Sequence, residues 1–406
     1  MTTEQVNTPK FPFEGDVFVE PDPRYTELRA GRPVCPVTVQ NGKRAWLITQ
    51  YEDAKAALTD PRFTRGGTLD AQTVQAMGVA GPAGRMALIY ADPPLLTESR
   101  KLVSRYFNTR RVESLRPRAQ EIVDGLIDRM EAAGGPVDLL ESLARPLPIR
   151  IICELLGIPV TDSDTLRHSV ELLMHIEGTS GDEIREAFTH VYGYLGRYVG
   201  QLREKPGDDL LSDLIRDARD DGTDGGTALS DSELVGLAML LFVTGHETTM
   251  TQMVNSCLVL LRSDEQRTRL LEHPELIDTC VEELLRFVPL GHAGLPFAAD
   301  EDLEFRDVQM SKGDLVFVSK LSANRDESAF DAAATLDIGR TPNRHIAFSH
   351  GPHYCLGAAL ARMELQVAIG TLFARLPTLR LAVDPEELVW RVGSIQRGPV
   401  GLPVTW

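Results

Sequence analysis

The feature that most constrains the fold is one long helical pattern that begins at Ser230. Ser230 and Glu233 are spaced as a capping box, which marks the first turn of a helix. The apolar pattern continues to about Arg262, which makes the segment about three times as long as a mean globular helix. Its most apolar stretch, Leu234 to Val243, is about half as long as a membrane crossing requires. We therefore predict a buried helix through the centre of a large soluble domain.

The other segments predict a mainly α-helical chain with a minor β portion. Helices are expected over about 92–288 and 357–376, where apolar residues recur at helical spacing. Strands are expected over about 1–60 and 290–320, and again at the C-terminus. No internal repeat or linker is visible in the sequence, so residues 1–406 are predicted to form a single domain.

Three local patterns predict particular elements. Ala45–Gln50 is typical of a strand, and Tyr51–Leu58 is typical of a helix that follows it. Polar and apolar residues alternate from Leu303 to Ser319, with Lys312–Gly313 in between. That alternation predicts a β-hairpin that turns at Lys312–Gly313.

The charge and the cysteine usage restrict the compartment and the partners. The formal net charge is −17 at pH 7, and the isoelectric point is near 5.0. Nucleic acids and anionic membranes would repel such a chain, which argues against broad binding to either. No secretory signal is visible at the N-terminus, and the five cysteines are far apart with no CxxC pair. We therefore expect a cytoplasmic protein without disulfides.

The strongest chemical signal is the segment from Phe348 to Gly357. Cys355 comes just before a predicted helix, whose first N–H groups have no partner within the helix. A sulfur at this end of a helix is stabilised as the thiolate, the form that binds metals. Gly351 allows a sharp turn of the backbone, and Gly357 removes a side chain where a flat cofactor would lie. Phe348 is placed to shield the sulfur from water.

Two other interpretations of this cysteine compete with the binding of a flat metal-containing cofactor. An isolated cysteine is most often a small buried side chain that only packs. Alternatively, His350, His353 and Cys355 would bind zinc, but a zinc site usually has a fourth ligand and CxxC-type spacing. Neither the ligand nor the spacing is present in this segment.

A second polar motif interrupts the long helix at Thr244–Thr249. A threonine in mid-helix can return its hydroxyl to the carbonyl four residues back, which bends the helix locally. Gly245 thins the helix and would leave room for a small ligand. Glu247 is ionisable in an otherwise apolar helix, which is costly unless it has a partner or a function. The alternative is a helix with incidental polar residues.

A third motif is the pair Glu283 and Arg286. These residues stand three positions apart on one helical face, so their side chains meet. As a surface pair it would contribute little to stability.

Taken together, the cysteine loop, the Thr244–Thr249 motif and this pair resemble the cytochrome P450 family, and the resemblance extends over nearly the whole chain. The cysteine loop has all five fixed positions of the family's haem-binding loop. Ser349 replaces a glycine common in bacterial members, which is expected only to tighten the turn.

The resemblance implies the cytochrome P450 fold, with haem b (iron protoporphyrin IX) sandwiched between the long central helix and the helix after the cysteine loop. Cys355 would be the iron ligand. Thr248 and Glu247 would be catalytic, with Thr248 hydrogen-bonding the oxygen and Glu247 relaying protons from solvent. Glu283 and Arg286 would be structural and position the loop. The residues implied to contact the haem are Cys355, His353, Arg100, Phe348, Gly351, Gly357 and Gly245.

Three positions depart from the family pattern. Leu96 stands where members usually carry histidine, and Phe297 stands where many carry arginine. Thr335 stands where an arginine usually completes the Glu-x-x-Arg network. The first two changes remove expected partners of the haem carboxylates.

By resemblance, Arg100 and His353 remain as partners of these carboxylates. A lost charge-assisted hydrogen bond costs about 1.5–3 kcal/mol where the acceptor stays buried. We therefore expect weaker haem retention, or carboxylates directed to solvent, to His345 or to Arg344.

The resemblance implies a haem-thiolate monooxygenase that inserts one atom of O2 into a small or medium-sized organic substrate, by hydroxylation or epoxidation, in natural-product tailoring. One alternative is oxidative coupling, which forms a C–C, C–N or C–O bond without oxygen insertion. Another is a helper subunit without haem, against which the presence of Cys355 argues. The substrate contacts expected in the variable elements are Leu240, Thr244, Leu290, His292 and Ile395.

Electrons are expected from NAD(P)H through a ferredoxin reductase and a ferredoxin, as in actinobacterial members of the family. An acidic ferredoxin would be steered to a basic segment of this otherwise acidic chain. The protein is expected to be a monomer. The basic residues of that segment are Arg100, Lys101, Arg105, Arg110, Arg111, Arg116 and Arg118.

Overall fold

The computed structural model describes residues 8–13, 20–39, 42–68, 88–174, 179–220, 229–288, 290–291, 294–391 and 396–406. The chain divides into two compact units. The sheet unit consists of Met1–Asp70 and Glu282–Cys355. The helical unit consists of Ala71–Val281 and Leu356–Trp406.

Helices dominate the described residues, which confirms a mainly α chain with a minor β portion. The helices are α1 (Arg24–Gly31), α2 (Tyr51–Thr59), α3 (Leu95–Ser104), α4 (Thr109–Ala133), α5 (Pro146–Leu156), α6 (Val160–Met174), α7 (Gly181–Glu204), α8 (Leu210–Asp220), α9 (Asp231–Leu261), α10 (Asp264–Glu272), α11 (Ile277–Phe287), α12 (Lys320–Ala323) and α13 (Ala358–Arg375). The strands are β1 (Val34–Thr38), β2 (Arg44–Ile48), β3 (Phe63–Thr64), β4 (Val137–Asp138), β5 (Phe297–Ala299), β6 (Leu303–Phe305), β7 (Val308–Met310), β8 (Leu315–Val318), β9 (Arg380–Leu381) and β10 (Pro403–Thr405).

The sheet unit is built on a five-stranded sheet in the order β1-β2-β8-β5-β3. Strands β2 and β8 are parallel, and the other neighbours are antiparallel. Along β2, Leu47 packs into one hydrophobic cluster, whereas Trp46 and Ile48 pack into another. Both faces of the sheet are therefore covered, which is why β2 is a continuous apolar run instead of an alternating one. The strand and the helix predicted over residues 45–58 are both confirmed.

The hairpin predicted around Lys312–Gly313 is wrong in its position. The antiparallel pair is β6 with β7, in which Phe305 faces Val308 across a two-residue turn. Strand β8 follows Gly313 but pairs with β2 and β5 of the main sheet. A period of two identifies strands but not their partners, so the alternation through this region was equally compatible with either turn.

The helical unit is organised around α9, as the sequence predicts. The Ser230 hydroxyl accepts from the Glu233 N–H at 3.3 Å, and the Glu233 carboxylate accepts from the Ser230 N–H at 2.9 Å, so the capping box is present. Most of α9 is buried, and it packs against α5, α7 and α13. Of the described helices, only α9 is long and apolar enough to cross a membrane, a property that buried core helices share.

The remaining strands of the helical unit form a small sheet in the order β4-β10-β9. Its strands come from the end of α4 and from the C-terminal segment, which confirms that the chain ends in short strands.

Candidate functional site

The loop before Cys355 is held by its own backbone. The Cys355 N–H donates to the Phe348 carbonyl at 2.8 Å, and the Tyr354 N–H donates to the Gly351 carbonyl at 3.0 Å. Gly351 has a φ of +69°, and a Cβ there would lie 2.8 Å from the Leu58 carbonyl oxygen. Both the backbone angle and the close approach therefore require glycine at this position.

Ser349 has a φ of +68° in the same loop. This left-handed conformation costs about 1–2 kcal/mol for a residue with a Cβ. The replacement of the family's glycine therefore strains the turn, which is a larger consequence than the tightening expected from the sequence.

Cys355 differs from the other four cysteines in its exposure. Cys35, Cys153, Cys257 and Cys280 are buried, and Cys355 is exposed. Burial raises the pKa of Cys35 to about 11 and the pKa of Cys153 and of Cys257 to about 12, so these three remain thiols at neutral pH. Only Cys355 is therefore placed to give its sulfur to a ligand or a metal.

The surroundings of Cys355 fit a flat cofactor better than zinc. Gly357 is the N-cap residue of α13, and no described atom lies within 4 Å of the place a Cβ would take. The His353 ring lies 6.0 Å from the Phe297 ring, edge to face. Among the described residues, which include His350, no group of three or more histidine, cysteine or acidic side chains is placed to hold a metal ion.

Glu283 on α11 is the acceptor at the centre of a buried network in the sheet unit. The Arg286 guanidinium donates to its carboxylate at 2.7 and 2.8 Å, and both side chains are fully buried. The Asn343 amide and the Asp337 N–H also donate to it, at 3.1 and 2.9 Å. The pair that would contribute little at a surface is therefore a buried, saturated ion pair.

Arg340 completes this network, so the departure assigned to Thr335 is wrong. Arg340 Nε donates to both oxygens of Glu283 at 3.1 and 3.2 Å. Thr335 contributes only its carbonyl, which accepts from Arg286 and from Arg340. The arginine stands five positions further along the chain, and an irregular loop offers no periodicity with which to align it.

The network also fixes the segment that leads into the cysteine loop. Arg286 Nη1 donates to the Asn324 carbonyl at 2.8 Å, and the Asn324 side chain accepts from the Ile346 N–H at 2.8 Å. The chain from Ile346 to Cys355 therefore starts at a residue tied to the Glu283 network.

On α9, three side chains spaced four residues apart form one half-buried face: Leu240, Thr244 and Thr248. The Thr248 hydroxyl donates to the Thr244 carbonyl at 2.6 Å, and the Thr244 hydroxyl donates to the Leu240 carbonyl at 2.7 Å. Thr249 makes the same kind of bond to the Gly245 carbonyl at 3.1 Å but is buried. Of the two adjacent threonines, only Thr248 therefore lies on the accessible face.

Glu247 is 4% exposed and faces three nitrogen-bearing side chains without contacting them closely. Arg391 Nη1 lies 3.6 Å from one carboxylate oxygen, and Arg145 Nη1 and His246 Nε2 lie 4.0 and 3.7 Å from the other. The oxygen near Arg145 has no hydrogen-bond partner among the described residues. The sequence did not identify either arginine, although an arginine within the apolar run 143–152 was a visible signal.

His246 is a core residue. Its ring is 2% exposed, and Nδ1 donates to the Phe242 carbonyl at 2.6 Å. Burial lowers the pKa of His246, so the ring is neutral at pH 7.

Gly245 lies where α9 approaches α5. A Cβ on Gly245 would lie 3.1 Å from Ile152 Cδ1, so the glycine permits close helix packing. Its contact with a cofactor stays a prediction.

The other predicted residues are placed as follows. Arg100 lies half-buried on α3, four residues after the fully buried Leu96, and Leu290 is half-buried. His345 Nε2 lies 3.1 Å from a Glu282 oxygen, so it is already hydrogen-bonded to that carboxylate. His292 and Ile395 lie outside the described residues.

Acidic side chains offset much of the basic segment around α3 and α4. Arg105 pairs with Asp217, and Arg116 pairs with Glu113. Arg118 pairs with Glu121 and Glu154. Among the residues the structure describes, the basic side chains of this segment that make no ion pair include Lys101, Arg110 and Arg111.

Known proteins resemble the chain along nearly its whole length. A sequence model of the family described as Cytochrome P450 matches residues 170–387. The nocardicin C N-oxygenase of Nocardia uniformis subsp. tsuyamanensis is 43% identical over 405 residues, which are 99% of this chain and 100% of that protein. The mycinamicin IV hydroxylase/epoxidase of Micromonospora griseorubida is 42% identical over 384 residues, which are 94% of this chain and 95% of that protein. The chain belongs to the cytochrome P450 family.

A solved structure of a P450 with biaryl coupling reactivity has a TM-score of 0.88 and 38% identity, and the match covers 98% of this chain and 100% of that one. The cytochrome P450 fold predicted from the motifs is thereby confirmed. This P450 is an oxidoreductase of the monooxygenase class, and haem is the cofactor that its family implies.

Proposed function

We propose that this P450 inserts one atom of O2 into a small or medium-sized organic substrate, by hydroxylation or epoxidation, in the tailoring of a natural product. The observation that carries the proposal is Cys355, the exposed cysteine at the end of a loop with the family's haem-binding pattern. The names of two relatives, an N-oxygenase and a hydroxylase/epoxidase, support oxygen insertion.

The haem would be ligated by the Cys355 sulfur. When bound, it supplies the activation of O2, which consumes two electrons and two protons and releases one oxygen atom as water. Residues 1–406 are proposed to act as one P450 domain. The proposed haem contacts are Cys355, His353, Arg100, Phe348, Gly351, Gly357 and Gly245.

Glu247 and Thr248 are the proposed proton-handling residues. Arg145 pairs with Glu141 at 3.0 Å, and the Glu141 side chain is 50% exposed, so charged groups extend from the surface to Glu247. A carboxylate held at 3.6–4.0 Å from its arginines is free to exchange hydrogen-bond partners. Glu247 would bring protons inward, and the Thr248 hydroxyl would orient them toward the oxygen.

The adjacent threonines provide a matched test of this assignment. Thr248→Val and Thr249→Val each remove one hydroxyl that bonds the carbonyl four residues back. With a substrate found by a haem spin-shift screen, Thr248→Val should form about tenfold less product per electron pair consumed. Thr249→Val should behave as wild type. Equal losses in the two variants would contradict the role of Thr248.

The haem-thiolate ligation has a direct spectroscopic test. The reduced protein with carbon monoxide should absorb at about 450 nm, the signature of a thiolate ligand. Cys355→Ser should lose this band, with Cys153→Ser as the control on a buried cysteine. A wild-type protein without the band would instead be a helper subunit without haem function.

Oxidative coupling is the second candidate, favoured by the structural similarity to a P450 with biaryl coupling reactivity. Mass spectrometry of the product formed under ¹⁸O2 distinguishes the two reactions. Oxygen insertion leaves ¹⁸O in the product, whereas coupling forms a new bond with loss of two hydrogens and no label.

Electrons are proposed to come from NAD(P)H through a ferredoxin reductase and a ferredoxin that docks at Lys101, Arg110 and Arg111. The enzyme is proposed to be a cytoplasmic monomer. Reduction by a ferredoxin should slow as ionic strength rises, and a rate independent of salt would contradict docking there. The proposed substrate contacts are Leu240, Thr244, Leu290, His292 and Ile395.

A further inference from the structure

Phe297 occupies the position where many family members have an arginine, yet a guanidinium lies beside it. The Arg65 guanidinium carbon is 3.7 Å from the centroid of the Phe297 ring. Arg65 Nη1 donates to the Pro296 carbonyl at 2.8 Å. The ring is 3% exposed and belongs to β5, so it is a fixed platform for the cation. A positive charge is therefore present beside Phe297, supplied by a different segment of the sheet unit.

Lys320, the first residue of α12, brings a second positive charge to the same region. Burial is the larger cause that lowers the pKa of Lys320, and the charge of Arg65 lowers it further. Cys355 raises the pKa. Lys320 is therefore within electrostatic range of both Arg65 and Cys355. Its Cε would lie 4.0 Å from a Cβ placed on Gly294. Among the described residues no carboxylate forms an ion pair with Lys320, and a partly buried cation without a counter-ion is costly.

His353 adds a third nitrogen-bearing side chain around Phe297, through its edge-to-face contact at 6.0 Å. Arg65, Lys320 and His353 come from three separate segments of the sheet unit. Arg65 and His353 both lie beside the Phe297 ring, and Lys320 lies within electrostatic range of Arg65 and Cys355. Such a cluster is stabilised by an anion, and a planar guanidinium binds carboxylates well. Haem b carries two carboxylates on its edge.

We propose that Arg65 and Lys320 bind a carboxylate of the haem and replace the arginine that this chain lacks at Phe297. The inference rests on the proposed haem site at Cys355. In this arrangement the Phe297 ring does not contact the carboxylate itself but holds the Arg65 guanidinium in place. A carboxylate on the substrate has the same chemistry, so the test is made on holoprotein without substrate.

The test measures transfer of ferric haem from the holoprotein to excess apomyoglobin. Arg65→Gln and Lys320→Met remove the two charges, and each should lose haem about tenfold faster than wild type, the effect of one charge-assisted hydrogen bond. Arg62→Gln and Lys312→Met are matched controls, because both side chains are exposed and pair with Asp60 and Asp300. The controls should retain haem as wild type does.

Two further variants separate charge from folding. Lys320→Arg keeps the charge and should retain haem as wild type does. Phe297→Leu keeps an apolar side chain in β5 and removes only the ring under Arg65, so it should lose haem faster. In an Arg65→Gln background the same change should add little, because the cation is already gone.

The resonance Raman bending band of the haem propionates provides a readout that does not depend on stability. It should shift in Arg65→Gln and Lys320→Met and stay in place in Arg62→Gln and Lys312→Met. Haem loss at control rates with an unshifted band in Arg65→Gln and Lys320→Met would overturn the proposal. Equal losses in Lys320→Met and Lys320→Arg would also overturn it.

Failure of the proposed function can be distinguished from failure of the Arg65 and Lys320 contacts. A wild-type protein without the carbon monoxide band lacks the thiolate site altogether. A wild-type protein with the band, whose Arg65 and Lys320 variants retain haem like their controls, refutes only the carboxylate contacts. Faster loss that appears only when substrate is present would assign the cluster to the substrate.

Discussion

Two buried glutamates face arginines in this protein, and their surroundings differ. Glu283 in the sheet unit accepts hydrogen bonds at 2.7–3.2 Å from Arg286, Arg340, Asn343 and the Asp337 N–H. Glu247 in the helical unit has its arginines at 3.6 and 4.0 Å, and one of its oxygens has no hydrogen-bond partner among the described residues.

The difference separates a structural ion pair from a group suited to carry protons. A carboxylate saturated by four donors keeps its position, because its lone pairs are already engaged. A buried carboxylate at longer range from its counter-ions is not locked into one geometry. Changes at Glu283 should therefore act on folding, whereas changes at Glu247 should act on turnover.

The largest expected effect is that of Glu283→Gln. Loss of this charge leaves Arg286 and Arg340 in the interior without a counter-ion, which should lower the free energy of unfolding by about 3–5 kcal/mol. Urea unfolding measures the change. The adjacent Glu282→Gln is the control: its side chain is 28% exposed and pairs with His345, so it should cost less than about 1 kcal/mol. Similar decreases in the free energy of unfolding in Glu283→Gln and Glu282→Gln would contradict the structural role of Glu283.

Glu247→Gln should leave the free energy of unfolding within about 1 kcal/mol of wild type and lower kcat about 100-fold, the usual scale of a lost general acid or base. KM should stay unchanged, because the residue is proposed to move protons and not to bind substrate. Steady-state kinetics with an identified substrate measure both constants. A Glu247→Gln variant with a lower free energy of unfolding and a normal kcat would contradict the contrast with Glu283.

One arginine from each region sharpens the contrast. Arg391→Met should lower kcat about tenfold with little effect on stability, because Arg391 lies 3.6 Å from Glu247, the proposed proton carrier. Arg340→Met should instead lower the free energy of unfolding by about 1–3 kcal/mol, because it leaves a buried carboxylate short of donors. The two variants are compared by kinetics and by urea unfolding, and the same profile in both would contradict the distinction.

Acidification should destabilise the Glu247 region through His246. Burial lowers the pKa of His246 in the folded protein, so the unfolded chain binds a proton there below about pH 6.5 that the folded protein does not. The free energy of unfolding should therefore fall as pH decreases below about 6.5, by up to about 1.4 kcal/mol per pH unit. His246→Gln should show a shallower decrease between about pH 6.5 and 5. Parallel curves for the two proteins would show that His246 does not contribute.

Asn343→Ala has the smallest expected effect on the comparison. It removes one of four donors to Glu283 and leaves the two arginines in place, so the free energy of unfolding should fall by about 1 kcal/mol. The measurement is again urea unfolding. A loss as large as that of Glu283→Gln would show that the network has no redundancy.

Local sequence patterns were sufficient for the elements that depend on neighbours in the chain. The capping box and the apolar run placed α9 to within one residue at each end, because capping and helical periodicity are interactions over three or four positions. The hairpin prediction failed because strand pairing joins distant segments, and β8 found its partners in β2 and β5.

The same division holds for the candidate site. The sequence by itself was sufficient to identify the cysteine loop, the Thr244–Thr249 motif and the Glu283–Arg286 pair. Each is a short run that can be recognised from its residue types and their spacing. Only the tertiary structure decided which distant side chains complete them. Arg340 closes the Glu283 network, and Arg145 and Arg391 surround Glu247. Arg65 supplies the charge beside Phe297, since hydrogen bonds and ion pairs depend on proximity in space and leave no spacing in the chain.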